Sequence, residues 1–495
     1  MTLKSAAGSI TIDGVIGSTN DIGNLAINDG LTGAGAITLN GVGDVSTPKI
    51  GITGTVDIGH TNTASVTLNG TAYNIDGDTT ITTTTAADKI IIGGAMTIKT
   101  AGDKVEFVGG GITLNDGKDL TITAGAGNVT LTDIGATSSE VIDIEGATVT
   151  AAVIGNADEI KSVKLDGSTK VILGGNITTS NTTGNNVDID GATELAAATV
   201  TINTSANNGT INFNSSINSD SGNARNLVLK AKGGNITVTG KIGVTDGLGT
   251  LAINDDYGSG TGVIALGGIG DSTNIGVDST ADIGHTGTKG IDLSGGYYNI
   301  GGVTTFTTAA NDGSGNTDII DFEAATTLKT SSDNISFVGG GISAAADGAN
   351  ITITTGGTTD GDVTLTAITV HSLEDVSVTG QNISASTIGD STNPANVVGL
   401  TGVITLAGDI TTDDDGASPS PQAGDVTLTG AVKINADTVI DTSAGNGAVE
   451  FTSTLNGADA TNRALTVKSG SGKVTVTGVT AVSYTHLTLP TKRIV

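Results

Sequence analysis

The chain is built from short bursts in which aliphatic and hydroxyl residues alternate. Ile10-Thr11-Ile12, Ile37-Thr38-Leu39, Val66-Thr67-Leu68, Ile112-Thr113-Leu114, Leu120-Thr121-Ile122 and Val129-Thr130-Leu131 share one pattern. Ile351-Thr352-Ile353, Val363-Thr364-Leu365, Val426-Thr427-Leu428 and Val474-Thr475-Val476 continue it. A period of two in β-branched residues predicts half-buried strands, aliphatics inward and threonines outward. Asn-Gly, Asp-Gly and Gly-Gly pairs stand between the bursts and supply tight turns. No stretch longer than about ten residues carries helical periodicity. The nearest approach, Glu194-Leu195-Ala196-Ala197-Ala198, is flanked by strand signals.

The bursts themselves repeat over a long period. Leu25-Ala26-Ile27-Asn28-Asp29 recurs at 251–255, an offset of 251 − 25 = 226, and Asp57-Ile58-Gly59-His60-Thr61 recurs at 282–286, an offset of 225. Phe107-Val108-Gly109-Gly110-Gly111-Ile112 returns at 337–342, an offset of 337 − 107 = 230, and Ile211-Asn212-Phe213 matches Val449-Glu450-Phe451 at an offset of 238. Two of the length changes fall in the loops at 311–316 and 413–424, where Gly, Asp, Ser and Pro cluster and insertion is tolerated. Leu3-Lys4 through Ile10-Thr11-Ile12 matches Leu229-Lys230 through Ile236-Thr237-Val238, and the unit opens again at Leu465-Thr466-Val467-Lys468. The expected organisation is a first copy over 1–226 that starts inside a repeat, a second over 227–464, and the start of a third over 465–482. Residues 483–495 follow none of the pattern; they resemble translated sequencing-adapter read-through and are expected to be a disordered, non-native tail.

Fixed-period self-similarity marks arrays built by stacking. The bursts at 112, 120 and 129 lie eight and nine residues apart, the spacing of successive faces of one coil. This favours an all-β fold, a parallel β-solenoid wound as a single elongated rod. The alternative is a set of tandem antiparallel β-sandwich modules. Turns of ~20–25 residues would give about 20 coils. Tryptophan is absent and aromatic residues are 2%, so the core is expected to be stacked Ile, Val and Leu.

Composition narrows the partners. There are 76 glycines, no cysteines and a formal charge of −29. Such acidity argues against nucleic acid or anionic lipid as a partner, and no run of ~18 apolar residues predicts a membrane span. Units such as Val171-Ile172-Leu173-Gly174-Gly175-Asn176-Ile177-Thr178-Thr179 and Gly233-Gly234-Asn235-Ile236-Thr237-Val238-Thr239-Gly240 resemble the filamentous-haemagglutinin-like exoproteins, the group that includes the β-strand-repeat adhesins of Gram-negative bacteria. The resemblance covers nearly the whole body through composition and turn pattern. It implies a right-handed parallel β-helix with a structural or adhesive role at the cell surface or in a biofilm matrix. Extracellular location, host-cell, glycan or matrix surfaces as partners, and an outer-membrane secretion partner go with it.

Chemistry-bearing residues are sparse, and no catalytic residue or organic cofactor is expected. Outside the tail, histidine occurs at His60, His285 and His371, and the first two are the same repeat position, as expected of turn residues in a copied loop. A polysaccharide-active β-helix enzyme would need clustered carboxylates with a cationic partner, yet arginine occurs only at the equivalent positions 225 and 463 and in the tail. Tyr297-Tyr298 is the single adjacent aromatic pair. Ca2+ is the one ion the pattern admits. Asn186, Asp188 and Asp190 precede Gly191 at EF-type spacing, but Ala197 stands where the bidentate glutamate belongs. Asp413, Asp414 and Asp415 are a second candidate. The competing expectation is that Asp188 and Asp190 simply face solvent from a strand. Outward threonine pairs (Thr121/Thr123, Thr237/Thr239, Thr352/Thr354, Thr475/Thr477) raise an ice-binding alternative, against which the pairs are expected not to recur turn by turn. A surface-layer or matrix filament is the remaining alternative.

Overall fold

The structure is a computed structural model that describes residues 1–478 except 29, 31–34, 45–48, 85–88, 137–138, 156–159, 256–259, 311–318, 345–346, 357–359, 372–373 and 414–423. The non-native tail expected over 483–495, the insertion loop at 311–316, and Asp414 and Asp415 therefore lie outside the described residues. Among those described there is no helix, and the strands pair in parallel. One antiparallel bridge, Asp44 to Lys49, closes a loop. This is a parallel β-solenoid, and the sandwich alternative is set aside by the strand directions.

Contacts divide the chain into two compact units, Met1–Gly240 and Lys241–Val495. In the first unit a turn has three strand positions, a few of them held only by single bridges such as those of Ile16, Val42 and Ile154. Val105–Val108 is followed by Ile112–Leu114, then Leu120–Thr123, and the chain returns beside its start at Val129–Leu131, with Val105 opposite Val129. We call the stacks built on these three positions the first, second and third ladders. The first ladder climbs nine steps from Thr2–Leu3 to Ile217–Ser219. Its shortest step runs from Val129 to Val149 and its longest from Leu25 to Val56. Where turns are short the strands fuse around a corner. Val141–Ala151 pairs with Leu120–Thr123 through its first half and with Val129–Leu131 through its second, and shifts register at Gly146 against the next turn. The second unit repeats the plan. Its ladders are named by sequence equivalence, the first running from Leu251–Ile253 through Ala281–Gly284 and Thr304–Thr307 to Ile335–Val338 and beyond.

Inward positions form continuous aliphatic columns. Ile90, Ile112 and Ile134, or Val163, Val187 and Ile211, are each 1% exposed or less and pair on successive turns. Parallel strands lie ~4.8 Å apart, so each side chain rests on the equivalent one of the next turn. All six phenylalanines are also inside. Phe306 stacks on Phe337 with centroids 5.4 Å apart, and Phe322 tilts against Phe337 at 6.4 Å. Corners are closed by buried threonines whose hydroxyls donate to the loop's own carbonyls. Thr204 bonds to Gly209 O at 2.6 Å, and its equivalent Thr442 bonds to Gly447 O at 2.7 Å.

The sequence period is not a whole number of turns. Leu3 pairs on the first ladder with Ile27, whereas its sequence equivalent Leu229 pairs on the second ladder with Ile202. Ile12 stands on the second ladder opposite Leu39, and its equivalent Val238 stands on the third opposite Phe213. Nine steps return the chain to the first ladder at Ile217–Ser219, and Leu229 is one ladder further on. One copy therefore spans nine turns and a third, and this is seen wholly within the first unit. The contact boundary at 240 differs from the sequence boundary at 226 because a repeating pattern has no intrinsic starting phase.

Candidate functional site

His60 and His285 sit in identical turns. The imidazole Nδ1 accepts a backbone N–H two residues on, from Asn62 at 3.0 Å and from Gly287 at 2.9 Å. Thr63 Oγ1 and Thr288 Oγ1 each accept the histidine's own N–H at 3.0 Å. His285 is 4% exposed, and burial holds its pKa below the ordinary value. Both imidazoles are thus turn fasteners. His371 is exposed, with Nδ1 3.1 Å from Asp347 Oδ1.

Beside it lies a feature that single-position reading missed. Glu374 is 1% exposed and accepts the backbone N–H of His371 at 3.0 Å and of Gly348 at 3.3 Å. Its equivalent one copy earlier, Glu140, is fully buried and accepts from Gly117 at 2.7 Å and Ser139 at 3.0 Å. The repeat offset was the available signal, because a glutamate kept in both copies just before a strand has a shared structural reason.

The arginines are turned onto their own loops: Arg225 pairs with Asp220, and Arg463 with Asp459 at 3.1 Å. Tyr297 is 38% exposed, but Tyr298 is buried, and its hydroxyl donates to Leu266 O at 2.6 Å while accepting Gly295 N–H at 3.2 Å. Tyr73 makes the same pair of bonds to Leu39 O and Gly70 N–H. Burial pushes both phenols well above their ordinary range.

The EF-type candidate unrolls into a strand. Val187 and Ile189 point inward along Val187–Asp190, while Asp188 and Asp190 face out. Asn186 Oδ1 accepts Thr210 N–H at 3.0 Å, Asp188 accepts the Asn212 amide at 2.6 Å, and Asp190 accepts the Asn214 amide. The three oxygens are spread along the ladder rather than wrapped around a centre. Among the described residues no three histidine, cysteine or carboxylate side chains gather as a metal cage requires. Of the second candidate, Asp413 donates its backbone N–H to Ala395 O at 2.9 Å.

The outward threonine pairs do not recur at each turn, since Ser377 and Gly399 interrupt them, but one column of single threonines is continuous. On the third ladder of the second unit Thr354, Thr379, Thr401 and Thr429 pair in register on four successive turns, behind Thr352, Ser377, Gly399 and Thr427. Threonine therefore does recur turn by turn there. Unequal turns hid it in the linear chain, because the three steps between these threonines all differ in length.

A concavity lies at the corner between the first and second ladders of the second unit. It measures about 270 Å³ and is floored by Gly339, Gly340 and Gly341, with Ile319, Ser343, Thr366 and Ala367 around it. The outward column beside it reads Asp292, Asp321, Ser343, Thr369 on successive turns. Burial, then the neighbouring charges of Glu323 and Asp321, pushes the Asp292 carboxyl up. Burial also raises Asp321, although the Ser343 hydroxyl bonds to it. Asp321 Oδ1 and Thr366 Oγ1 are buried without a partner in the protein.

No protein-family model, curated protein or solved structure matches this chain.

Proposed function

We propose that the chain is a non-catalytic stretch of a large secreted or cell-surface adhesin, which engages host-cell, glycan or matrix surfaces through loops and turn faces displayed in repeated copies. The observation that carries this reading is the way the copies differ. Strands keep their pairing from one copy to the next, while the offset grows from 225 to 238, with two of its steps in the loops at 311–316 and 413–424. A solenoid whose turns stabilise one another by contact leaves its loops free to vary toward partners. The chemistry that could have served catalysis is spent inside the fold, as with the imidazoles held by their own turns and the arginines paired within their loops.

The test is to immobilise the chain and measure retention of cells, glycan-coated beads and matrix polymers. The same preparation is followed for product release from uronate and neutral polysaccharides. Retention without turnover is the expected result. Turnover, or self-assembly into filaments with no retention, contradicts it. The threonine column at 354, 379, 401 and 429 favours one second reading, ordered water or ice as the ligand of that face, for which thermal hysteresis is the measurement.

A further inference from the structure

We propose that the corner cleft of the second unit, lined by Gly339–Gly341, Ser343, Thr366 and Ala367, binds a single neutral saccharide unit, and that the first copy has lost or never acquired this site. The proposal rests on the adhesive reading and names the ligand class of one of its sites.

The copies provide an internal comparison. Gly109, Gly110 and Gly111 of the first copy correspond to Gly339, Gly340 and Gly341. Around them the side chains diverge. Where the second copy has Ile319 and Ala367, the first has Lys89 and Asp133. A Cβ built on Gly111 would stand 3.7 Å from Lys89 Nζ and 3.9 Å from Asp133 Cβ, so those side chains occupy the corner. The first copy's Thr132 hydroxyl is spent, donating to Gly110 O at 3.1 Å. Its equivalent Thr366 bonds to nothing in the protein. The outward column reads Thr67, Ile91, Thr113, Gly135 in the first copy and Asp292, Asp321, Ser343, Thr369 in the second.

The second copy thus lacks two bulky charged side chains and leaves a hydroxyl and a carboxylate oxygen unbonded. A buried polar atom without a partner forfeits its hydration for no return, so an unbonded Thr366 hydroxyl in the cleft wall, with Asp321 Oδ1 unbonded in the column beside it, needs a reason. The lining mixes apolar surface from Ile319 and Ala367 with the hydroxyl residues Ser343, Thr366 and Thr369. That is the complement of a sugar ring, which offers C–H groups on one side and hydroxyl donors at its edge. The column beside the cleft carries the carboxyls of Asp292 and Asp321, so an anionic sugar is disfavoured. The opening of about 270 Å³ is at the lower end of ligand pockets, which run from about 300 Å³, so one ring is accommodated rather than a chain.

The experiment uses the full chain and saturation-transfer NMR with a panel of neutral monosaccharides, uronates and tetramethylammonium. Three variants accompany it: Ala367→Asp, which restores the first copy's residue; Thr366→Val; and Thr132→Val as the first-copy control. Circular dichroism and thermal melting confirm that each folds. At least one neutral sugar is expected to bind, tenfold or more weakly in Ala367→Asp and Thr366→Val, and unchanged in Thr132→Val. Binding unaffected by Ala367→Asp, or binding of uronate or of the ammonium ion in place of neutral sugar, overturns the assignment. If no sugar binds while the chain still retains glycan-coated beads, the adhesive reading stands and this site falls. If wild type retains no surface, the adhesive reading fails as well.

Discussion

Phe337→Ala is the sharpest test of how this molecule is held together. Phe337 is 1% exposed and stacks on Phe306 of the preceding turn at 5.4 Å, with Phe322 against it at 6.4 Å. Truncating a buried phenylalanine costs about 3–5 kcal/mol through lost transfer energy and the cavity left behind. The stacked pair adds about 0.5–1.5 kcal/mol. In a globule that loss would be felt throughout. In a solenoid, stability is the sum of turn stabilities and nearest-neighbour interfaces, so the damage stays local. Native-state hydrogen exchange is the assay. Amides of Thr304–Thr307 and Ile335–Val338, which pair across this interface, should lose protection by a factor of about 100 or more, as ~3 kcal/mol requires. Those of Val187–Asp190 and Ile211–Phe213 in the first unit should not change. Uniform loss of protection over both units, or a destabilisation under about 1 kcal/mol, would refute turn-by-turn stacking as the source of stability.

The remaining expectations follow from the closing devices and the titrating groups. Tyr298→Phe strands Leu266 O and Gly295 N–H inside the fold, so urea unfolding should show a loss of about 1–3 kcal/mol, and Tyr73→Phe a similar one. Gly243 has a φ of 69°, and a Cβ there would collide with the carbonyl oxygen of Gly276. Gly243→Ala should therefore disrupt that turn, read as lost exchange protection at Ile269 and Val277. His285 has a depressed pKa, so as pH falls below about 6.5 the unfolded chain takes up a proton that the folded imidazole refuses. Stability should drop until the folded group also protonates, and His285→Gln should flatten that part of the urea-midpoint profile. Asp321 carries the opposite sign. Its raised pKa means that its contribution is fully present below about 3.9 and is lost as pH rises through the folded value. Asp321→Asn should accordingly raise the urea midpoint at pH 7, and an unchanged or lower midpoint would count against the burial argument.

What the sequence determined by itself was the local unit and its stacking. Alternating triplets such as Ile112-Thr113-Leu114 can bury one face only, and spacings of eight and nine residues leave no room for sandwich strands between them; the structure places 112, 120 and 129 on three successive ladders. Identical loops one period apart, such as those of His60 and His285, were legible as turns because the copy preserved both the imidazole and the threonine that receives its backbone N–H. Other features were decided only by the tertiary structure. The threonine column at 354, 379, 401 and 429 depends on which residues fall opposite one another, and turns of unequal length erase that register from the linear chain. The corner cleft is likewise invisible in sequence, because Ile319, Ser343 and Thr366 come from different turns and meet only where the coil folds them onto one corner. The nine-and-a-third-turn period belongs to the same class. Composition and repeat dictate that strands stack, whereas the length of chain each corner consumes decides which face an equivalent residue occupies.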